Sequence, residues 1–143
     1  MPADASDADD AAAGDVRSAG RWPRKFGHAF RGTWRAVRSE DSFAVHLPVA
    51  LAVIVVAAAL RIPPRDWAPL VAAIGAVLVA ELVNSAIESL VRAPGVPRHP
   101  RIRDALDVAS AAVLVAAASA VVIGLLVLGP PLWGVVAAAV AGR

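Results

Sequence analysis

Three long apolar runs, placed close together in a chain of 143 residues, limit what this sequence can fold into. The first extends from about Phe43 to Leu60, with His46 and Pro48 as its interruptions. The second extends from Trp67 to about Val91, and the third from about Ala105 to Leu128. A helix needs about 20 apolar residues to cross the hydrocarbon of a bilayer. Such a span must also satisfy its own backbone polar groups. Composition points the same way: 58% of residues are hydrophobic and 18% charged, against about a quarter charged in soluble domains. The expected class is an all-α membrane protein with three transmembrane helices.

The connecting segments differ from the spans and from one another. Residues 1–20 are mostly Ala, Asp, Gly and Ser, with five aspartates among the first 15 and almost no large apolar side chain, too polar to bury a core, so they read as a disordered acidic tail. From Arg24 to about Val37 the apolar positions Phe26, Phe30, Trp34 and Val37 share one helical face, flanked by Arg24, Lys25, Arg31, Arg35 and Arg38. A basic helix with an aromatic stripe is expected to lie in the headgroup plane of an anionic leaflet. RIPPRD (61–66) is a short turn and RAPGVPRHPRIR (92–103) a polar loop. Gly129-Pro130-Pro131 is expected to end the third span. Residues 129–143 would then form a short apolar tail, on the bilayer surface or packed on the bundle. The membrane-embedded unit is thus 21–128.

Arginines concentrate in the amphipathic segment and the 92–103 loop. The positive-inside rule therefore places the N-terminus and that loop in the cytoplasm. The membrane surface accounts for the arginines, so nucleic-acid binding is not expected. The chain has no cysteine, which excludes disulfides and thiolate metal sites. Small residues line the second and third spans: Ala72, Gly75, Ala76 and Ala80 on one, Ala105, Ala109, Ala112 and Ala116 on the other. Such stripes permit close helix contact in lipid and predict a homo-oligomer.

Several polar residues stand where a span should be apolar. Glu81 lies deep in the cytoplasmic part of the second span, where a charge costs several kcal/mol. Asn84 and Glu88 follow at i+3 and i+7, on the same helix face. Asp107 opens the third span at a similar depth, Ser110 sits one turn deeper, and Glu40 ends the amphipathic helix. Carboxylates without histidine or cysteine partners suit a hard cation such as Mg²⁺. With arginines nearby, such a set is equipment for phosphoryl transfer, in which positioning and charge neutralisation dominate. A carboxylate at membrane depth could also take the proton of an attacking lipid hydroxyl. A proton-coupled transporter needs a buried glutamate too, and stays open on these residues.

AELVNSAIESLV (80–91) resembles the signature of the prokaryotic diacylglycerol kinase family, centred on E-x-x-N-[ST]-A-I-E. DVASAAVLVA (107–116) resembles that family's second block, and RGTWRAVRSEDSFAVHL (31–47) its N-terminal block, with Glu40 at the acidic position. The FAVHL ending is closer to the undecaprenol-kinase branch. The resemblance extends over residues 21–128. It implies an amphipathic surface helix and three spans, in a homotrimer with sites between subunits, in the bacterial inner (cytoplasmic) membrane. It also implies Mg²⁺- and ATP-dependent phosphorylation of a membrane lipid alcohol, diacylglycerol or undecaprenol.

Carried over by position, Glu81 is the general base and meets the lipid substrate, with Ser110 beside it. Glu88 and Glu40 hold the metal and its nucleotide. Asn84 and Asp107 serve the nucleotide, as do Arg21 and His99. The family's aspartate after E-S-L-V is Arg92 here, and its lysine before Asp107 is Leu106. Arg92 or Arg103 could replace the lost lysine on phosphate. Alternatively, Arg92 pairs with Glu88, four residues back, and withdraws it from the metal. The second account would make the chain a degenerate member that binds lipid or supports an assembly.

Overall fold

In the computed structural model, which describes residues 21–95 and 99–142, the chain is helical with no strand among the described residues. The acidic tail expected at 1–20 lies outside them. Four helices follow in order: α1 (Arg21–Ser39), α2 (Asp41–Ala59), α3 (Pro64–Val91) and α4 (Pro100–Ala141).

α1 forms a unit of its own. Phe26, Phe30 and Trp34 are exposed along it, and two of its basic residues, Lys25 and Arg38, lean on its aromatic rings. Lys25 Nζ lies 5.3 Å from the Trp22 ring centroid, and the Arg38 guanidinium 4.8 Å from that of Trp34. These are cation–π distances. They keep the charges at the margin of the aromatic stripe, as an interfacial helix requires.

α2, α3 and α4 make the second unit, and all three are long and apolar enough to cross a membrane. α3 packs chiefly on α4, and α2 packs on α3. The chain turns from α2 to α3 through a Schellman closure: Arg61 N donates to Ala58 O and Ile62 N to Ala57 O. Arg61 adopts the left-handed conformation, with φ of 50°, at the position where glycine is usual. Ile62 then folds back into a buried cluster with Ala57, Leu70 and Leu128. Pro64 follows at the first position of α3, where its missing N–H leaves nothing unsatisfied. This cluster fastens the three spans at the end away from Glu40 and Glu88.

The third span, α4, departs from expectation. It does not stop at Gly129 but continues through Pro130 and Pro131 to Ala141, 42 residues in all. Gly129 supplies part of the reason: a residue before proline is disfavoured in a helix partly by its Cβ, which glycine lacks. Apolar helices in lipid also tolerate proline where neighbours re-satisfy the freed carbonyls. At 1.5 Å per residue α4 is about 63 Å long, twice the hydrocarbon thickness of about 30 Å. Only 6% of its most apolar stretch is buried within one chain. That surface requires lipid or another protein against it.

Candidate functional site

Glu81 is the one charged side chain buried within the described residues, at 2% exposure, and Ser85 is its buried polar neighbour one turn on. An unpartnered carboxylate at this depth would be very costly. Here both oxygens are engaged from α2. Ser42 Oγ donates to Glu81 Oε2 at 2.8 Å, and His46 Nε2 lies 2.9 Å from Oε1. Ser42 and His46 are four residues apart, so one face of α2 presents both to α3. Neither was singled out from the sequence as a site residue, and His46 counted there as an interruption of the span. The available signal was two polar residues at i,i+4 in an otherwise apolar helix.

A second cluster lies toward the end of α3, about two helical turns from Glu81. Asn84 Nδ2 donates to Glu88 Oε1 at 2.7 Å. Arg92 Nη2 donates to Glu88 Oε2, and its Nη1 to Glu40 Oε1 at 3.2 Å. One guanidinium therefore spans both carboxylates expected to hold a metal. The contact of Arg92 with Glu88 is the pairing that its spacing allowed; the contact with Glu40 was not legible. Asn84 Oδ1 is buried without a hydrogen-bond partner.

These donors fit a metal that arrives with its nucleotide. Mg²⁺ takes oxygen ligands and is commonly held by one or two carboxylates plus substrate phosphates. Glu40 and Glu88 are two such carboxylates, and Asn84 Oδ1 is an oxygen still unpaired. Among the described residues no three His, Cys, Asp or Glu side chains converge as a metal cage. The set would be completed by phosphate rather than by further protein.

The other expected residues do not join either cluster through a described hydrogen bond. Arg103, Asp107 and Ser110 are exposed on the first turns of α4. His99 precedes that helix as its N-cap, where its Nδ1 accepts from Arg101 N at 3.2 Å. Arg21 opens α1, in the other unit, and its side chain is outside the described residues.

Alongside Glu81 the three spans leave an apolar groove of about 480 Å³. His46 is its one ionisable lining residue, near the Glu81 end. From there the walls are Val49, Val53, Ala73, Ala120 and Gly124, and the groove reaches Leu128 in the terminal cluster. A hydrocarbon chain suits such walls, with a polar head at His46.

Known proteins resemble this chain over most of its length. The chain is 35% identical over 112 residues to an undecaprenol kinase of Bacillus subtilis, covering 78% of this chain and 91% of that one. It is 35% identical over 108 residues to a diacylglycerol kinase of Synechocystis, covering 75% of this chain and 62% of that one. A diacylglycerol kinase of Pseudomonas aeruginosa is 34% identical over 90 residues, covering 63% of this chain and 73% of that one. The family model for prokaryotic diacylglycerol kinase matches residues 27–128, which include both clusters and the three spans as far as Leu128. This membrane protein belongs to the prokaryotic diacylglycerol kinase family.

Proposed function

We propose that the chain transfers the γ-phosphoryl group of ATP to the hydroxyl of a membrane lipid alcohol, at the cytoplasmic face of the bacterial inner membrane. The observation that carries this reading is a buried carboxylate, Glu81, set between an apolar groove and a carboxylate pair suited to Mg²⁺. The groove receives the hydrocarbon of the lipid and brings its hydroxyl to the Glu81 end. Glu81 supplies the negative charge that drives deprotonation of that hydroxyl. Glu40 and Glu88 would hold Mg²⁺, which neutralises charge on the phosphates, and Asn84 steadies Glu88. The exposed Arg103, Asp107 and Ser110 at the start of α4 face the side from which nucleotide and lipid head arrive. The open small-residue faces of α3 and α4 support assembly, as a homotrimer, with further site residues drawn from neighbouring copies.

The test is transfer of labelled phosphate in vesicles of defined orientation, with diacylglycerols and polyprenols as acceptors. Label is expected in lipid when ATP is added to inverted vesicles and not when it is added to right-side-out ones. The reverse pattern would overturn the orientation. Absence of transfer in both would favour the degenerate reading, for which the Arg92 bridge between Glu40 and Glu88 is the specific observation. In that case Arg92→Asp with Leu106→Lys should revive activity.

The groove gives a separate expectation. A Cβ added at Gly124 meets nothing within 4 Å, so a phenylalanine there can extend into the groove rather than break the bundle. Gly124→Phe is expected to raise the KM for long-chain lipid alcohols and to leave the KM for ATP near its native value. Equal change in both would show that the groove does not hold the lipid.

A further inference from the structure

Between Arg21 and Ser39, α1 carries six basic residues and no acidic one. Lys25, Arg31 and Arg38 are exposed, and each is engaged by a ring rather than by a carboxylate. Lys25 lies on Trp22 and Arg38 on Trp34, while Arg31 Nη2 donates to His28 Nδ1 at 2.9 Å. Their positive charge is held in place on an open helix surface. The segment that leads directly into this helix has the opposite charge: Asp4, Asp7, Asp9, Asp10 and Asp15, against Arg17 as its one basic side chain. That segment precedes the residues matched by the family, 27–128, and the kinase reading gives its aspartates no task.

We propose that the acidic segment, residues 4–15, docks on the basic flank of α1 and competes there with the anionic leaflet. Reach permits it. At about 3.3 Å per residue, an extended backbone can carry Asp15 some ~20 Å and Asp4 some ~55 Å from the start of α1. The helix itself is about 28 Å long. Tethering also gives the segment an effective concentration in the mM range, at which weak surface pairs count.

The two occupants exclude one another, because five carboxylates cannot stay between α1 and a layer of anionic headgroups. They also differ in what they cover. The acidic segment has almost no large apolar side chain, so it meets the cationic groups and leaves Phe26, Phe30 and Trp34 exposed. A leaflet meets the cations and buries the aromatic stripe as well. Docking of the segment is therefore the weaker state, and its effect is a threshold. α1 settles on a leaflet only when the headgroup charge exceeds what the chain supplies to itself. The inference concerns α1 and its own N-terminal segment and does not depend on the kinase reading.

The test uses the full chain in nanodiscs of phosphatidylcholine with phosphatidylglycerol added from zero upward. The chain has no cysteine, so a single introduced one takes a label. Gly32→Cys, where a Cβ meets nothing within 4 Å, carries a nitroxide beside the basic flank; Phe30→Cys carries a polarity-sensitive dye on the aromatic stripe. Without phosphatidylglycerol the nitroxide is expected to broaden the amide signals of residues 4–15. As phosphatidylglycerol is added those signals should recover while the dye moves to an apolar environment. Changing all five aspartates to asparagine should abolish the broadening and lower the phosphatidylglycerol fraction at which the dye responds. The shift is expected to be about fivefold in the equilibrium for each basic residue released. An earlier dye response without broadening in the native chain would mean that the leaflet simply repels the segment, and overturns the docking. So does equal broadening with aspartate and with asparagine, or a dye response that is the same in both. None of these readouts uses phosphoryl transfer, so each outcome leaves the kinase reading to its own test.

Discussion

Glu81→Gln is expected to reduce kcat for lipid phosphorylation by about 10²- to 10⁴-fold, the range for loss of a general base or its supporting charge. Glutamine keeps the shape of the side chain and one accepting oxygen for the donors on α2. The helices should therefore stay paired, and circular dichroism and chromatographic behaviour in detergent should match the native protein. What the variant lacks is negative charge beside His46 and the groove. Glu81→Asp retains the charge but withdraws it by one methylene from Ser42 and His46, so it should fall between the two. Initial rates of phosphate incorporation, with both substrates saturating, measure the effect. A Glu81→Gln protein with native turnover would remove this residue from the chemistry.

The second large effect is expected at Arg92. Its guanidinium lies between Glu40 and Glu88, where the proposed Mg²⁺ would have to be held, so the arginine and the metal compete. The Arg92 side chain is 63% exposed, and half-solvated pairs of this kind are worth only ~0.2–1 kcal/mol each. Removing both should lower the Mg²⁺ concentration for half-maximal rate by about fivefold in Arg92→Gln, since 1.4 kcal/mol is about tenfold. Arg92→Asp should lower it further, because it adds a carboxylate where the family carries one. At saturating Mg²⁺ the ATP KM is expected to rise in the same variants: an arginine displaced from carboxylates is free to pair with phosphate oxygens. The two sequence-level accounts of Arg92 then describe one side chain before and after nucleotide arrives. A Mg²⁺ dependence that ignores Arg92 would show that Glu40 and Glu88 do not hold the metal.

The spans and the deep carboxylate were legible because lipid leaves few alternatives. A run such as Phe43 to Leu60 has to be a helix, and Glu81 within one has to be partnered or functional. The carboxylates along α3 were legible from helical spacing alone, as was the bond from Arg92 to Glu88. Contacts between helices were not. Nothing in the order of residues states that Ser42 and His46 would rotate toward Glu81, or that Arg92 would reach Glu40 across 52 positions. The continuation of α4 past Gly129 was missed for a different reason. Proline costs a helix one hydrogen bond and crowds the preceding turn, but in lipid an unwound backbone would leave still more polar groups unsatisfied than a continued helix does. His99 was read as a nucleotide contact; that its Nδ1 would also accept from Arg101 N at the first turn of α4 was not legible.

The pairing of Ser42 and His46 with Glu81 also bears on how the bundle finds its arrangement. Between greasy helices in lipid, many rotations and vertical offsets have similar packing, because the surrounding acyl chains are as apolar as the side chains themselves. A single carboxylate met by two donors one turn apart removes that degeneracy. Only one azimuth of α2, at one height, lets both donors reach Glu81. The residue that serves the reaction is thus also the pin that sets the register of the first span against the second. An apolar replacement such as Glu81→Leu would leave the spans fastened only at their far end, so its defect is a looser register between the first two helices as well as loss of turnover.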